Sequence, residues 1–289
     1  MIVLYTDSDC DITLKEANDL GFKLISMPYM IGEEVYYPYQ TLEEFDYHSF
    51  YNKLREGIIP KTSAISPGEY MNYFESEFEK GNDILYVHFS KAMSGTFNSM
   101  NIALEELYEK YPGRKLYTID TKAISIGSRA IVKEVSRLYN EGASINEILT
   151  WAEKEVDKYA VYFYADDLKF FAKSGRVSGL AAFMGGLIGI HPIIHMDSDG
   201  MMKSISKARG KKMSLKKVLD YVITLQDDIK SHQVIIAHSD NLELAQTFSQ
   251  MMKDEFGNDL DIEITCVNPT AGSHCGPNNI GVSFHAKHR

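Results

Sequence analysis

Short β-rich runs alternate with helical patterns along the first half of the chain, and this alternation constrains the fold more than any other feature. The runs "IVLYT", "DILYVHF" and "KLYTID" are each followed by a turn and then by a helical pattern. Strands separated by helices predict βαβ units, which build a mostly parallel sheet with helices on both faces. The first half is therefore predicted to form an α/β/α domain.

Several of the predicted helices carry a start signal. The capping-box pattern, Ser or Thr followed three residues later by Glu, begins at Thr41, Ser66 and Ser144. In this pattern the two side chains accept hydrogen bonds from amides that the first helical turn leaves unpaired. Pro67 strengthens the second signal, and Gly57 marks the end of the helix predicted from Thr41.

The second half has a different pattern. Its strand candidates are interrupted by two long helical patterns instead of alternating regularly with helices, and Asp199-Gly200 predicts a tight hairpin turn. This arrangement favours a smaller α+β domain. We place the boundary near residue 160, which divides the chain into an N-terminal α/β domain, residues 1–160, and a C-terminal α+β domain, residues 161–289.

Composition excludes several classes of protein. The chain of 289 residues has a formal net charge of −10, whereas nucleic-acid-binding domains are usually basic. No apolar run reaches the ~18 residues of a membrane span, and the N-terminus lacks a signal-peptide pattern. The three cysteines, Cys10, Cys266 and Cys275, have no metal-ligand spacing and indicate reduced thiols. We expect a cytoplasmic protein with no stable membrane insertion and no nucleic-acid partner.

Three turns rich in hydroxyl groups lie beside predicted helix starts. Thr62 and Ser63 precede the first helix, Ser94 and Gly95 begin the second, and Ser125 begins the third. Amides and the helix dipole favour an anion at a helix N-terminus. Because the carboxyl ends of parallel strands meet at one edge of a sheet, these turns are expected to converge on one ligand. For each turn taken alone, plain N-capping is the alternative.

The stretch "SKAMSGTF" matches neither of two common catalytic loops. A nucleophile elbow needs glycine two residues either side of the serine, and Ser94 has Ala92 and Thr96 at those positions. A P-loop needs a lysine after its second glycine, and this stretch has a single glycine with no lysine after it. Near the first strand, Asp7 and Asp9 leave a D-x-D phosphoryl-transfer site open as an alternative to helix capping.

Three stretches of the second half each allow two interpretations. The glycines and the proline of "AGSHCGPNNIGV" predict a shaped loop, and its His274 is either functional or structural. The apolar run "GLAAFMGGLIGI", with Phe183 and Ile188, either lines an apolar cavity or belongs to the core. A basic run is either a solvated helix start or a surface that docks an acidic partner. Its cations are Lys207, Arg209, Lys211, Lys212, Lys216 and Lys217.

Taken together and in order, these motifs resemble the DegV family of bacterial fatty-acid-binding proteins. The resemblance runs over essentially the whole chain through "TDSDCDI", "TSAISPGEY", "HFSKAMSGTFNSM", "DTKAISIG", "LKFFAKSGRVSG", "HPIIHMDSDG", "KARGKK" and "HCGPNNIGV". Where the family's loop usually continues Gly-Pro-Gly, this chain has Asn278 at the last position. Asparagine tolerates a left-handed backbone, so the turn is expected to persist.

The resemblance implies a two-domain α/β protein that holds one long-chain fatty acid in a tunnel between its domains, without catalysis of its own. It places the carboxylate against Thr62 or Ser63 and against Ser94, with the Gly95 amide beside them and His274 close by. It also implies that the protein presents the acid to a fatty acid kinase, which makes an acyl phosphate for phospholipid synthesis. Arg209 falls on the surface expected to meet that kinase.

A fatty acid needs two environments, and the sequence offers both. Hydroxyls and amides satisfy the head group, while Phe183 and Ile188 are expected to line the tunnel, with Ser125 nearby. No lysine or arginine falls in the predicted head-group motifs, so neutral dipoles are expected to hold the acid. Neither a cofactor fingerprint nor a metal site is predicted. The alternative is an acyl hydrolase that uses Ser94 and His274, although no third group of a triad is identifiable.

Overall fold

The structure is a computed structural model that describes residues 1–40, 45–180 and 189–289. The described strands are β1 Ile2–Asp7, β2 Phe22–Ile25, β3 Tyr29–Ile31, β4 Glu34–Tyr36, β5 Lys61–Thr62, β6 Asp83–His88, β7 Leu116–Asp120, β8 Tyr159–Tyr164, β9 Val177–Ser178, β10 Ile190–Met196, β11 Met202–Arg209, β12 Val234–His238, β13 Ile262–Cys266 and β14 Ile280–His285.

The described α-helices are α1 Leu14–Asp19, α2 Tyr47–Arg55, α3 Pro67–Glu79, α4 Thr96–Lys110, α5 Ile126–Asn140, α6 Ile145–Glu155, α7 Leu168–Ser174, α8 Lys211–Leu225, α9 Leu242–Phe256 and α10 Pro269–Cys275. Among the described residues, no helix is long and apolar enough to cross a membrane.

Four strands form a parallel sheet in the order β2-β1-β6-β7. The central strand β6 buries five of its six residues, as expected for a strand covered on both faces. The mostly parallel N-terminal sheet predicted from the alternating pattern is confirmed. Because parallel strands all point the same way, the turns after β1, β6 and β7 lie together at one edge of the sheet.

Seven strands form a second, mixed sheet in the order β13-β12-β14-β8-β10-β11-β9. Strand β8 lies in its middle and is antiparallel to both β14 and β10. Strands β10 and β11 form the hairpin predicted at Asp199-Gly200. The predicted class, a parallel α/β sheet with a separate C-terminal α+β arrangement, is confirmed. The division into residues 1–160 and 161–289 stays a prediction, and β8 begins at Tyr159.

Side chains of β8 alternate between two hydrophobic cores. Val161 and Phe163 pack with the core of the parallel sheet, whereas Ala160 and Tyr162 pack with α8 and α9 on the opposite face. This alternation follows from the two-residue period of a strand. One face of the mixed sheet is therefore turned towards the parallel sheet.

Helix α5 joins the two sheets. Gly127 lies so close to Val161 of β8 that a Cβ on the glycine would overlap the valine side chain. Two residues farther along α5, the buried guanidinium of Arg129 forms ion pairs with Glu16 of α1 and Glu263 of β13. These contacts hold the carboxyl edge of the parallel sheet against the face of the mixed sheet.

Two helix starts that carry a capping-box signal are confirmed, and the third is not. Ser66 and Ser144 each accept a hydrogen bond from the amide three residues on, and the reciprocal glutamate contact is present. The helix predicted from Thr41 begins instead at Tyr47, where the Asp46 side chain caps it. Thr41 itself lies outside the described residues.

The glycine-rich stretch that contains His274 is a helix, so its prediction as a loop was wrong. Asn268 accepts a hydrogen bond from the Ala271 amide and Pro269 occupies the first turn, both ordinary helix-start signals. Gly272 hid the helix because glycine is a poor helix former. Here it allows α10 to lie against Tyr51 of α2, where a Cβ would overlap the tyrosine hydroxyl.

Candidate ligand-binding site

A cavity lies between the carboxyl edge of the parallel sheet and the inner face of the mixed sheet. Its free volume is about 1030 Å³, counting the part that opens to solvent. Its apolar lining comes from both halves of the chain: Met27, Phe89, Met93, Ile124, Ile126, Val161, Phe163, Phe171, Met196, Met202, Ala237, Val267 and Ala271. Strands β8, β10, β11 and β12 supply five of these side chains, so the mixed sheet forms one wall.

Polar side chains predicted from the sequence line the same cavity. They are Thr62, Ser63, Ser94, Ser125 and His274. The structure thus brings together the three hydroxyl-rich turns and the imidazole, which are far apart in the chain. Gly95 lies directly before α4 and is not among the described residues that line the cavity. Phe183 and Ile188 lie outside the described residues.

Thr62 and His274 form one polar contact of the site. The Thr62 Oγ1 atom lies 2.8 Å from Nε2 of the histidine, across 212 positions of sequence. Strand β5 positions the threonine by pairing with Tyr29 of β3, and α10 positions the histidine. Burial, and then the nearby charge of Arg176, lower the pKa of His274 to about 4. The imidazole is therefore neutral near pH 7, with one nitrogen donating and the other accepting.

Ser94 is partly occupied by its own turn. Its Oγ accepts a hydrogen bond of 3.2 Å from the Thr96 amide. The cap position of α4 is Gly95, however, so the alternative of plain N-capping by Ser94 was wrong. The hydroxyl hydrogen is not used in that contact and is free to donate. Thr96 fixes the turn further, because its Oγ1 accepts from the Ile65 amide and lies 3.0 Å from the Tyr70 hydroxyl.

Ser125 has an unusual backbone conformation, with φ 57° and ψ −128°. Its amide donates to the Asp9 carbonyl at 2.7 Å, and its hydroxyl donates to the Asp11 carboxylate. Strained conformations of this kind persist only where the surroundings fix them, and they concentrate at functional sites. The turn after β7 is thereby tied to the turn after β1.

The acidic residues at the end of β1 and in the turn after it differ in what they contact. Asp9 lines the cavity, and its Oδ1 atom has no hydrogen-bond partner among the described residues. Burial, and then the neighbouring carboxyls of Asp7 and Asp11, raise the pKa of Asp9 well above its usual range. Asp7 accepts from the Asp9 amide at 3.0 Å, the Tyr86 hydroxyl at 3.0 Å and the Phe89 amide at 3.2 Å. Burial raises the pKa of Asp7 to about 7. These contacts favour the structural alternative over a D-x-D phosphoryl-transfer site. No group of three or more His, Cys, Asp or Glu residues suited to a metal ion occurs within the described part of the chain.

Asp11 connects the same turn to the helix that carries the imidazole. Its Oδ1 accepts from the Asn268 amide at 2.9 Å and from the Asn268 side chain at 2.7 Å. Asn268 in turn caps α10, on which His274 lies one and a half turns later. Asn278, with φ 67°, adopts the expected left-handed backbone after that helix.

Arg176 is a cavity residue that the sequence reasoning missed. It follows Gly175, the left-handed C-cap of α7, and it lines the cavity together with Thr62 and His274. The expectation that mainly neutral dipoles hold the head group did not include this cation, and what holds the head group stays a prediction. The signal was a single arginine after a helix-ending glycine, within "AKSGRVSG", which says nothing about what the guanidinium faces.

An open parallel sheet that faces a mixed sheet across a mainly apolar cavity defines a two-domain α/β protein built around an internal site. The chain belongs to the DegV family: the family model, described as an uncharacterised protein family, matches residues 1–287. A DegV domain-containing protein from Clostridium perfringens is 34% identical over 282 residues, covering 98% of this chain and 96% of that one.

Solved structures of relatives have the same fold. A DegV family protein from Thermus thermophilus, described as fatty-acid-binding, has a TM-score of 0.85 and 25% identity, with 99% of both chains covered. A DegV family protein from Eubacterium eligens, loaded with heptadecanoic acid, has a TM-score of 0.84 and 24% identity. That match covers 99% of this chain and 100% of the other. The first of these relatives is thus described as binding fatty acid, and the second holds one.

Proposed function

We propose that this chain binds one long-chain fatty acid in the cavity between its two sheets. In this proposal the cavity is an apolar tunnel between the domains, with a polar end. The observation that carries the proposal is this division of one cavity into two environments. Thr62 and His274 are in contact, and with Arg176 they line both this cavity and the opening next to it. Aliphatic and aromatic side chains make up most of the rest of the lining. An amphipathic acid is the ligand class that such a division fits.

At the polar end, the carboxylate would accept hydrogen bonds from the hydroxyls of Thr62, Ser63 and Ser94, with the Gly95 amide close by. A neutral His274 serves as a further donor through whichever nitrogen carries the proton. Arg176 adds a positive charge, so the acid is held in its ionised form. A carboxylate bound by an arginine and several hydroxyls keeps its lone pairs satisfied when it leaves water.

The tail would supply most of the affinity. Each buried methylene contributes ~0.8 kcal/mol, so about fourteen give on the order of 11 kcal/mol, against association costs of at least ~4 kcal/mol. The head group then mainly orients the acid at the mouth of the tunnel. This orientation suits a carrier that presents the carboxylate to a fatty acid kinase for acyl-phosphate formation and phospholipid synthesis.

The alternative function, an acyl hydrolase with Ser94 as nucleophile and His274 as base, receives less support. The histidine Nε2 is engaged by Thr62, and Ser94 accepts from the amide of Thr96. A serine nucleophile needs a base in hydrogen-bond contact and a third group that orients that base. Neither contact is found among the described residues, so binding without catalysis is the better proposal.

The fatty acid is expected to co-purify with the protein. Denaturation, solvent extraction and mass spectrometry should recover close to one long-chain acid per chain. The double variant Thr62→Val, Ser94→Ala should bind added palmitate about a hundredfold or more weakly, since it loses two hydrogen bonds to a charged group, each worth about 1.5–3 kcal/mol. Recovery of no lipid, together with no binding of added palmitate or oleate, would contradict the proposal.

Arg209 is proposed to act on a separate docking surface. It ends β11 and is exposed, well away from the cavity lining. We expect Arg209→Ala to leave the palmitate dissociation constant unchanged but to lower acyl-phosphate formation with a cognate fatty acid kinase. Lys253→Ala, on a different face, serves as the control for a general loss of charge. Equal loss of lipid binding and of acyl-phosphate formation would count against a separate docking surface.

A further inference from the structure

A second cavity lies outside the polar end of the first and shares Thr62, Arg176 and His274 with it. Its free volume is about 880 Å³, counting the part open to solvent. The rest of its lining is Ile59, Pro60, Lys61, Phe170, Lys173, Ser174 and Ser273. The shared residues are those proposed to hold the carboxylate. A ligand that extends beyond its carboxylate therefore enters this outer cavity.

The outer cavity is cationic in an acidic protein. Lys61, Lys173 and Arg176 line it, and no carboxylate of the described residues does, although the chain carries 40 acidic against 30 basic residues. None of these three cations has an ion-pair partner among the described residues. By contrast, Lys169, on the same helix as Lys173, is paired with Asp167 at 2.8 Å.

The backbone places the three cations around one opening. Lys61 immediately precedes Thr62 on β5, and Lys173 lies in the last turn of α7. The Arg176 guanidinium donates to the carbonyl of Ser174, which fixes its direction beside that turn. Both lysine side chains are exposed and can swing towards an anion at the opening, whereas a single carboxylate between Thr62 and His274 needs neither of them.

We propose that this outer cavity binds the phosphoryl group of an acyl phosphate, with Lys61 and Lys173 as phosphate contacts in addition to Arg176. The inference rests on the proposed fatty-acid function and extends it to the phosphorylated product. A carboxylate oxygen of the bound acid attacks the terminal phosphorus of a nucleoside triphosphate supplied by the kinase. The bond from that phosphorus to the oxygen that bridges the two outer phosphates breaks. The nucleoside diphosphate leaves with the electron pair of that bond.

This step changes the charge that the opening must hold. A carboxylate carries one negative charge. The phosphoryl group of the mixed anhydride carries close to two negative charges and three acceptor oxygens, as a phosphorylated side chain does. Compact ammonium groups on flexible stems are well suited to such an anion. The lysines therefore distinguish product from substrate: they contribute little to holding the acid and strongly to retaining its phosphate.

The test compares two ligands of one chain length, palmitate and the non-hydrolysable β-ketophosphonate analogue of palmitoyl phosphate. In the variant Lys61→Ala, Lys173→Ala, the phosphonate dissociation constant should rise at least about tenfold, while that of palmitate stays within about twofold. The phosphonate difference should shrink as salt is raised. The matched control Lys154→Ala, Lys287→Ala removes two exposed lysines elsewhere and should change neither constant.

Three results would overturn the inference. One is an equal loss for both ligands, which would make the lysines part of the carboxylate site. Another is an unchanged phosphonate constant. The third is lysine-dependent binding of ATP or inorganic phosphate alone with no lysine dependence for the phosphonate, which would assign the cavity to the phosphate donor. Failure of palmitate to bind the unmodified protein is a separate result, and it would contradict the fatty-acid function itself.

Discussion

Replacing Ala237 with phenylalanine is expected to weaken palmitate binding by at least about a hundredfold while leaving the free energy of unfolding nearly unchanged. Ala237 lies on β12 and lines the cavity with a buried side chain. A phenyl ring there fills free space instead of displacing packed neighbours. If it excludes about four methylenes at ~0.8 kcal/mol each, the loss of about 3 kcal/mol corresponds to roughly a hundredfold.

The matched control is Ala160→Phe. Ala160 is fully buried on β8, but it faces the opposite core, among α8 and α9. Overpacking a close-packed core typically costs about 1–3 kcal/mol, so this variant should lose stability and keep its palmitate affinity. Isothermal titration gives the affinities, and urea unfolding gives the stabilities. If Ala237→Phe binds palmitate normally, the tail does not lie against the mixed sheet.

Ala237 and Ala160 illustrate which parts of the fold the local sequence pattern predicts and which parts it does not. The alternation of β-rich and helical segments predicted the parallel sheet, because each strand and helix is a local periodic signal. The order β13-β12-β14-β8-β10-β11-β9 was beyond such reasoning, since strand pairing joins segments far apart in the chain. Which alanine faces the cavity depends on that pairing, because both lie in runs that are apolar at every position.

Some residues of the candidate site were also predictable from local sequence pattern, and others were not. Ser94 and Ser125 were identifiable because a hydroxyl at a helix start after a strand has a definite position on the sheet. The contact of Thr62 with His274 spans 212 positions, and α10 was concealed by its glycine. Arg176 had no local signal, since a C-capping glycine ends a helix without specifying the direction of the next side chain. Phe183 and Ile188 stay predictions.

The second large effect concerns Asp7 and the dependence of stability on pH. Burial raises the pKa of this carboxyl from 3.8 to about 7 in the folded chain. Below the pKa that Asp7 has in the unfolded chain, the carboxyl is protonated in both the folded and the unfolded state, and its contribution to the free energy of unfolding is fully present. Between roughly pH 4 and 7 the unfolded chain releases a proton that the folded chain retains, so stability falls as pH rises and levels off above about 7.

Asp7→Asn should remove this dependence, because the amide does not ionise. The free energy of unfolding of the variant, taken relative to that of the unmodified protein, should rise by about 2–3 kcal/mol between pH 5 and pH 8. This follows from ~1.4 kcal/mol per pH unit over the roughly two units in which the carboxyl is protonated only in the folded chain. Other titrating groups, including His274 with its lowered pKa and Asp11 with a pKa raised to about 6, are present in both proteins and largely cancel.

Urea unfolding of both proteins at pH 5 and pH 8 measures this difference, and Asp19→Asn, at the exposed end of α1, controls for the loss of a carboxylate. A difference that does not change with pH would mean that Asp7 is ionised throughout, stabilised by its four donors, which are the Asp9 and Phe89 amides, the Tyr86 hydroxyl and the Cys10 thiol. The two outcomes bear on chemistry as well as on stability. A carboxyl that keeps its proton to about pH 7 is a poor nucleophile and a poor Mg²⁺ ligand, so confirmation would remove the remaining basis for phosphoryl transfer at the D-x-D stretch.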